Sequence, residues 1–252
     1  MALRSRPEPA TAVRRRLLEF DPELGAGLSA EQLKLAQRHL TVPVYELERG
    51  PWEPRLDEPD PAHLGYMIVE GLMIRELEVA GARSIELLNF GDLLRPWLED
   101  ADSFVKARWQ AIDPVKLIEL DPPAASLIGR WPPIVSTLID RGMRRSRSLA
   151  VAAALENIRG IDQRLWVLFW HLAERWGKRQ PDGSVLLPLK LTHETLSILV
   201  GARRPTVTGA LSVLAHRGMV ERIARSGWRL RGDPPSPEDP EGDEAGGEAL
   251  DA

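Results

Sequence analysis

Apolar positions follow two different periods along this chain. Between residues 64 and 120 they come in short runs: Leu64–Glu70 (LGYMIVE), Leu72–Val79, Ser84–Leu88 and Val115–Leu120. Gly65, Gly71, Gly81 and Gly91–Asp92 punctuate the runs, and Asp121–Pro123 closes the region. Short Ile/Val/Leu/Met runs between glycine turns predict the strands of an antiparallel sandwich or barrel. After Pro132–Pro133 the period becomes helical. Ile134, Leu138, Ile139, Leu149, Ala152, Ala153, Leu155 and Ile158 form a stripe on a helix predicted over about 133–158, with Arg141, Arg144, Arg145 and Arg147 crowding its middle. Gly160 breaks it. Ile161, Leu165, Leu168, Phe169, Leu172 and Trp176 then mark a second helix. Upstream, Thr11–Leu40 reads as mostly helical, with a helix start at Ser29, Glu31 and Gln32. Pro51–Ala62 holds four prolines in 12 residues and is predicted as a loop.

The pattern changes again after Pro181–Ser184, a turn between two short extended segments. Thr192 is a predicted N-cap for a helix running to Val200. Gly201–Ala202–Arg203 is a short turn, and Pro205 suits the first turn of a helix that runs to about His216. Val220–Ala224 and Trp228–Arg231 flank Arg225–Ser226–Gly227 as a hairpin anchored by Ile223, Trp228 and Leu230. At 100° per residue, Val207, Ala210, Leu211 and Leu214 fall on one face of the later helix. Pro205, Gly209, Ser212 and His216 fall on the other, with Thr208 beside them.

Composition narrows the class of protein. The 252 residues are 43% apolar, enough for one or two domains with a sizeable core. There is no cysteine, which excludes disulfides, Cys-ligated zinc, iron–sulfur clusters and thiol chemistry. The longest apolar run, Leu149–Leu155, is far short of a membrane span, and the Arg-rich start lacks an apolar signal core. These features lead to the expectation of a soluble, cytoplasmic protein without a membrane partner. The net charge of −4 conceals an asymmetry. Residues 160–232 carry 12 Lys/Arg against five Asp/Glu, an excess of seven positive charges. Residues 233–252 carry eight Asp/Glu and no cation, with four prolines and three glycines, a disordered composition. The basic module is the part suited to a polyanion.

Catalytic motifs are weak or missing. Gly25-Ala-Gly-Leu-Ser-Ala30 fits G-x-G-x-x-A but follows an acidic loop rather than a strand. His193–Glu194 opens H-E-x-x, yet the next position holds Ser197 instead of His. There is no G-x-S-x-G, no P-loop and no histidine between residues 64 and 120, so neither an enzyme nor a metal site is expected. Two helices joined by a glycine turn and followed by an Arg-bearing hairpin instead form a winged helix–turn–helix pattern. Such a unit enters the major groove with the N-terminal residues of its second helix leading. Small and hydroxylic residues on that helix permit close approach, and hydroxyls and backbone amides hold phosphates.

At Thr192-His-Glu-Thr-Leu-Ser-Ile-Leu-Val-Gly-Ala-Arg-Arg-Pro-Thr-Val207 the chain resembles the Crp/Fnr family of bacterial transcription regulators, whose helix–turn–helix reads T-x-x-E-[IL]-[AG]-x-[ILM]-[IVL]-G-x-[ST]-R-E-T-V. The resemblance implies that Arg204 reads guanine, Thr206 contacts phosphate and Gly201 makes the turn. Residues 64–94 resemble the family's sensor jelly roll. Three departures stand out: Arg203 replaces the N-cap Ser/Thr, Pro205 a base-contacting Glu, and Gly209 a second base-contacting Arg. In the sensor, Leu94-Arg-Pro-Trp97 and Val105-Lys106-Ala107 replace the Gly-Glu-Leu turn and the Arg-[Ser/Thr]-Ala that hold cyclic nucleotides in the family. Cyclic AMP is therefore not expected, and no cofactor is identified. Arg95, Lys106 and Arg108 remain the weak candidates for an anionic ligand. Of the N-terminal histidines that could ligate haem, His39 and His63 are both expected at the surface.

The resulting expectation is an α+β chain. It has a loose N-terminus (1–14), an antiparallel β jelly-roll sensor domain (15–132), a dimerisation helix (133–159), a C-terminal winged helix–turn–helix (160–232) and an acidic tail (233–252). The implied function is a homodimeric, sequence-specific regulator controlled through its sensor, with double-stranded DNA and RNA polymerase as partners. Candidate DNA-binding residues are Thr192, His193, Arg203, Arg204, Pro205, Thr206, Thr208, Ser212, Arg225 and Ser226. The alternative is a degenerate module that acts through a protein partner.

Overall fold

The computed structural model describes residues 13–54, 60–96, 104–223 and 227–236. Contacts divide the chain into two units, Met1–Arg147 and Ser148–Ala252. In the first, the described strands form two antiparallel sheets. One holds β1 (Val13–Arg16), β2 (Thr41–Leu47), β9 (Val115–Leu120), β4 (Gly65–Glu70) and β7 (Leu93–Leu94), in that spatial order. The other holds β3 (Gly50–Trp52), β8 (Val105–Ala111), β5 (Met73–Val79) and β6 (Ala82–Leu88).

The inner strands β9 and β4 of the first sheet are buried on both faces, which explains their unbroken apolar runs. Val42, Met67, Ile118 and Leu120 pack against Leu17, Leu18, Leu24, Ala36, Ile128 and Ile134 from the helices. Their sequence neighbours Ile68 and Leu117 point the other way, toward Met73, Leu88, Trp109 and Ala111 of the second sheet. Gly71 links β4 to β5 at φ +90°; a Cβ there would lie 2.2 Å from the Pro114 carbonyl oxygen, so only glycine fits.

Several local expectations change. Residues 13–16, read as loose chain and helix, form β1 on β2, because the ladder Val13↔Val44 to Arg16↔Thr41 and the Arg14–Asp121 ion pair outweigh local propensity. Helix in this region is confined to α1 (Leu17–Phe20), a 3₁₀ turn and α2 (Ala30–His39), the last opened by the Ser29–Gln32 capping box. Part of the predicted 51–62 loop is β3, an edge strand, where Pro51 loses no ladder bond that matters. Asp121-Pro-Pro starts a helix instead of ending a region. Asp121 accepts from the Ala124 amide and caps α3 (Pro122–Ile128), with Pro122 in the first turn. The long helix α4 runs over Pro132–Leu155, shorter than the expected 133–159. Beyond it the carbonyls of Glu156 and Ile158 accept from Arg164.

His63 also departs from its expected surface place. It is 9% exposed. Its Nδ1 accepts from the Gly65 amide at 3.0 Å, so its Nε2 carries the proton and donates to Glu119 at 2.8 Å. Tyr45 donates to the other Glu119 oxygen at 2.6 Å. A carboxylate from β9, far along the chain, makes burial of this histidine tolerable.

In the second unit, α5 (Ile161–Trp176) buries Leu165, Leu168, Phe169 and Leu172. A four-stranded sheet follows, ordered β10 (Lys178–Arg179), β11 (Val185–Leu187), β13 (Gly227–Leu230), β12 (Val220–Ile223). Phe169 meets Trp228 of β13 with ring centroids 5.0 Å apart, joining helix to sheet. Between β11 and β12 lie α6 (His193–Leu199) and α7 (Arg204–His216).

Candidate nucleic-acid interface

α6 and α7 are held by short-range chemistry. The Thr192 hydroxyl accepts from the Thr195 amide at 3.0 Å, capping α6. At its other end Arg164 of α5 donates to the Val200 carbonyl at 2.6 Å, satisfying a helix-terminal acceptor. Gly201 takes φ +63°, the left-handed conformation that lets the chain turn at once into α7. Arg203 is the N-cap of α7 and its side chain makes no capping bond; Pro205 lies in the first turn.

Val207, Leu211 and Leu214 are buried, and Leu196 and Val200 are buried in the same unit. The opposite face of α7 is open. Arg203, Arg204, Pro205, Thr206, Thr208, Gly209 and Ser212 are all exposed. Among the described residues, Arg203 and Arg204 have no ion pair. The hydroxyls are tethered: Thr208 Oγ1 donates to the Arg204 carbonyl and Ser212 Oγ to the Thr208 carbonyl, each at 3.0 Å. The two helices meet at this face, where His193 Nδ1 lies 3.0 Å from Thr208 Oγ1. The His193 pKa is lowered, first by burial, then by the cations Arg222 and Arg204.

Eight of the ten expected DNA-binding residues thus lie together, around the start of α6 and the open face of α7. The other two, Arg225 and Ser226, lie outside the described residues, as does Trp97. Arg222 was not among the candidates. β12 and β13 pair it opposite Trp228, and its guanidinium lies 5.8 Å from that ring, beside His193. The hairpin register was the available signal.

The weak ligand candidates in the first unit do not converge on a site. Arg108 pairs with Glu76 and Glu78 on the outer face of its sheet. Lys106 is exposed on the same strand. Arg95 lies 3.4 Å from the His63 carbonyl.

The described geometry is that of a winged helix–turn–helix unit following an antiparallel double sheet. The family described as a Crp-like helix-turn-helix domain matches residues 163–231. Among solved structures, a CooA variant from Carboxydothermus hydrogenoformans superposes with TM-score 0.60 at 17% identity, over 88% of this chain and 94% of that one. A cyclic nucleotide-binding domain containing protein from Listeria monocytogenes gives 0.58 at 15% identity, over 75% and 88%. TTHB099, a CRP-family transcriptional regulator from Thermus thermophilus, gives 0.50 at 18% identity, over 73% and 90%. At these identities the likeness is one of fold. No curated protein matches the chain. Residues 163–231 match a Crp-like helix–turn–helix domain, and the chain shares the α+β fold of these solved structures. No described helix is long and apolar enough to cross a membrane.

Proposed function

We propose that this chain is a transcription regulator of Crp/Fnr type that binds double-stranded DNA as a homodimer. One observation carries the reading. The open face of α7 combines two exposed arginines at its start, unpaired among the described residues, with small and hydroxylic side chains behind them. Exposed cations with no carboxylate to satisfy are suited to phosphate or to the acceptor edge of guanine. Arg204 supplies the base contact, and Thr206, Arg203 and Thr192 hold the backbone. Pro205 and Gly209 let the helix approach closely without offering a donor. Direct readout therefore rests on few groups, and the preferred sequence differs from that of relatives with a Glu and a second Arg at these positions.

Dimerisation uses α4, which exposes Ile139 (59%) and Met143 (66%) one turn apart, a stripe suited to a second copy of the same helix. Control would come through the double-sheet unit by shifting the dimer between DNA-competent and incompetent states. RNA polymerase would be the further partner of an activator.

The test is binding of the full-length chain to labelled duplex across a salt series. Log affinity is expected to fall linearly with log salt, and gel filtration at micromolar concentration is expected to show a dimer. A monomer, or salt-independent binding, would contradict the reading. Salt-dependent binding that ignores duplex sequence would favour a degenerate module acting through a protein partner, which the missing donors at Pro205 and Gly209 motivate.

A further inference from the structure

Histidine 193 stands where the two helices of the proposed DNA-binding face meet. It is half-buried at the first position of α6, with Nδ1 3.0 Å from Thr208 Oγ1 of α7. The Thr208 hydroxyl proton is already committed to the Arg204 carbonyl at 3.0 Å. Thr208 can therefore only accept from the imidazole, which places a proton on Nδ1. A neutral ring with its proton there presents a bare lone pair at Nε2. Among the described residues Nε2 has no hydrogen-bond partner. A lone pair repels a phosphate oxygen, whereas an N–H donates to it.

Among the described residues, the charged groups that act on this ring are the cations Arg222 from β12 and Arg204 from α7. Its side-chain contacts are neutral, Thr208 Oγ1 and the Trp228 ring with its centroid 6.5 Å away, and Glu194 follows it on α6. In the free protein the arginines and burial oppose a third positive charge, and the ring's pKa is lowered. A phosphate backbone laid across the same face reverses that balance. It neutralises Arg204 and Arg222 and adds an acceptor for Nε2.

We propose that His193 takes up a proton when the chain binds DNA, so that DNA affinity is linked to pH through this one side chain. This rests on the DNA-binding reading above and adds its regulation. In the bound state the imidazolium donates from Nδ1 to Thr208 and from Nε2 to a backbone phosphate. The sign follows from linkage: a group whose pKa rises on binding makes affinity grow as pH falls. A rise of one unit corresponds to about tenfold in affinity for each protomer. Since the contact is to phosphate, the effect adds equally to all duplex sequences.

The experiment titrates the full-length protein against a fluorescent pool of random-sequence duplex at fixed ionic strength between pH 5.5 and 8. Wild type is expected to bind at least about tenfold more tightly at pH 5.5 than at 7.5. His193→Gln, which cannot take up a proton in this range, is expected to lose most of that dependence. His193→Lys, charged throughout the range, is expected to bind at pH 7.5 as wild type does at 5.5. Equal pH slopes for wild type and His193→Gln would overturn the proposal while leaving DNA binding in place. A wild-type chain that binds the pool at no pH would overturn the DNA-binding reading itself.

Discussion

Arg141 and Arg145 of the first unit and Arg203 and Arg204 of the second put the same side chain to opposite uses. In the first, guanidinium groups are buried against carboxylates. Arg141 on α4 donates to both oxygens of Asp21, which is fully buried, and to Glu23 at 2.9 Å. Burial works against its charge, but Asp21 and Glu23 more than compensate and its pKa is raised. One turn further along, Arg145 pairs with Glu86, which also takes Arg75 at 2.8 Å. Arg141 ties the first part of α4 to the segment between α1 and α2, and Arg145 ties it to β6. In the second unit, Arg203 and Arg204 stand exposed with no carboxylate partner among the described residues, and Arg222 lies over Trp228. Placement decides what the charge does: a buried, paired guanidinium fixes structure, and an exposed, unpaired one is available to a polyanion.

Substitutions should separate these uses. The largest effect is expected from Arg141→Ala, which strands Asp21 as an unpaired buried charge. It should cost about 3–5 kcal/mol of the first unit's stability in chemical denaturation. A loss under about 1 kcal/mol would show that the pair is not structural. Arg204→Ala should leave the denaturation midpoint unchanged yet weaken binding to a preferred duplex by about 1–3 kcal/mol. An equal loss of stability would place Arg204 with the buried group instead. Thr192→Ala removes the α6 cap and should cost about 1 kcal/mol in the second unit, read by thermal unfolding. Arg203→Ser should do the reverse by supplying the cap that α7 lacks, a gain of roughly 0.5–1 kcal/mol accompanied by weaker DNA binding. Stability unchanged by this last substitution would mean that Pro205 already makes the cap redundant.

Legibility in the sequence divides along the same line. The second unit is built from signals that act over a few residues: a Thr cap, a glycine turn, a proline start and a hairpin paired within ten positions. Their spacing predicted α6, α7 and the face that α7 leaves open. The first unit depends on partners far apart in the chain. Val13–Arg16 shows no strand period of its own and becomes β1 only because β2 lies beside it. His63 looks like a loop histidine until β9 brings Glu119 to it. The stripe on α4 was readable, but the fate of Arg141 was not, because Asp21 lies 120 positions away. Arg222 is legible as a hairpin arginine, but its place beside His193 is not, since only the β12–β13 register sets it against Trp228.

The central claim is that the exposed cations of α7 read DNA sequence. Selection from a random duplex pool by the full-length protein tests it most directly. The expected result is an enriched inverted repeat with half-sites about one helical turn, roughly 34 Å, apart, lost when the selection is repeated with Arg204→Ala. A pool that the protein binds but never enriches would contradict the claim.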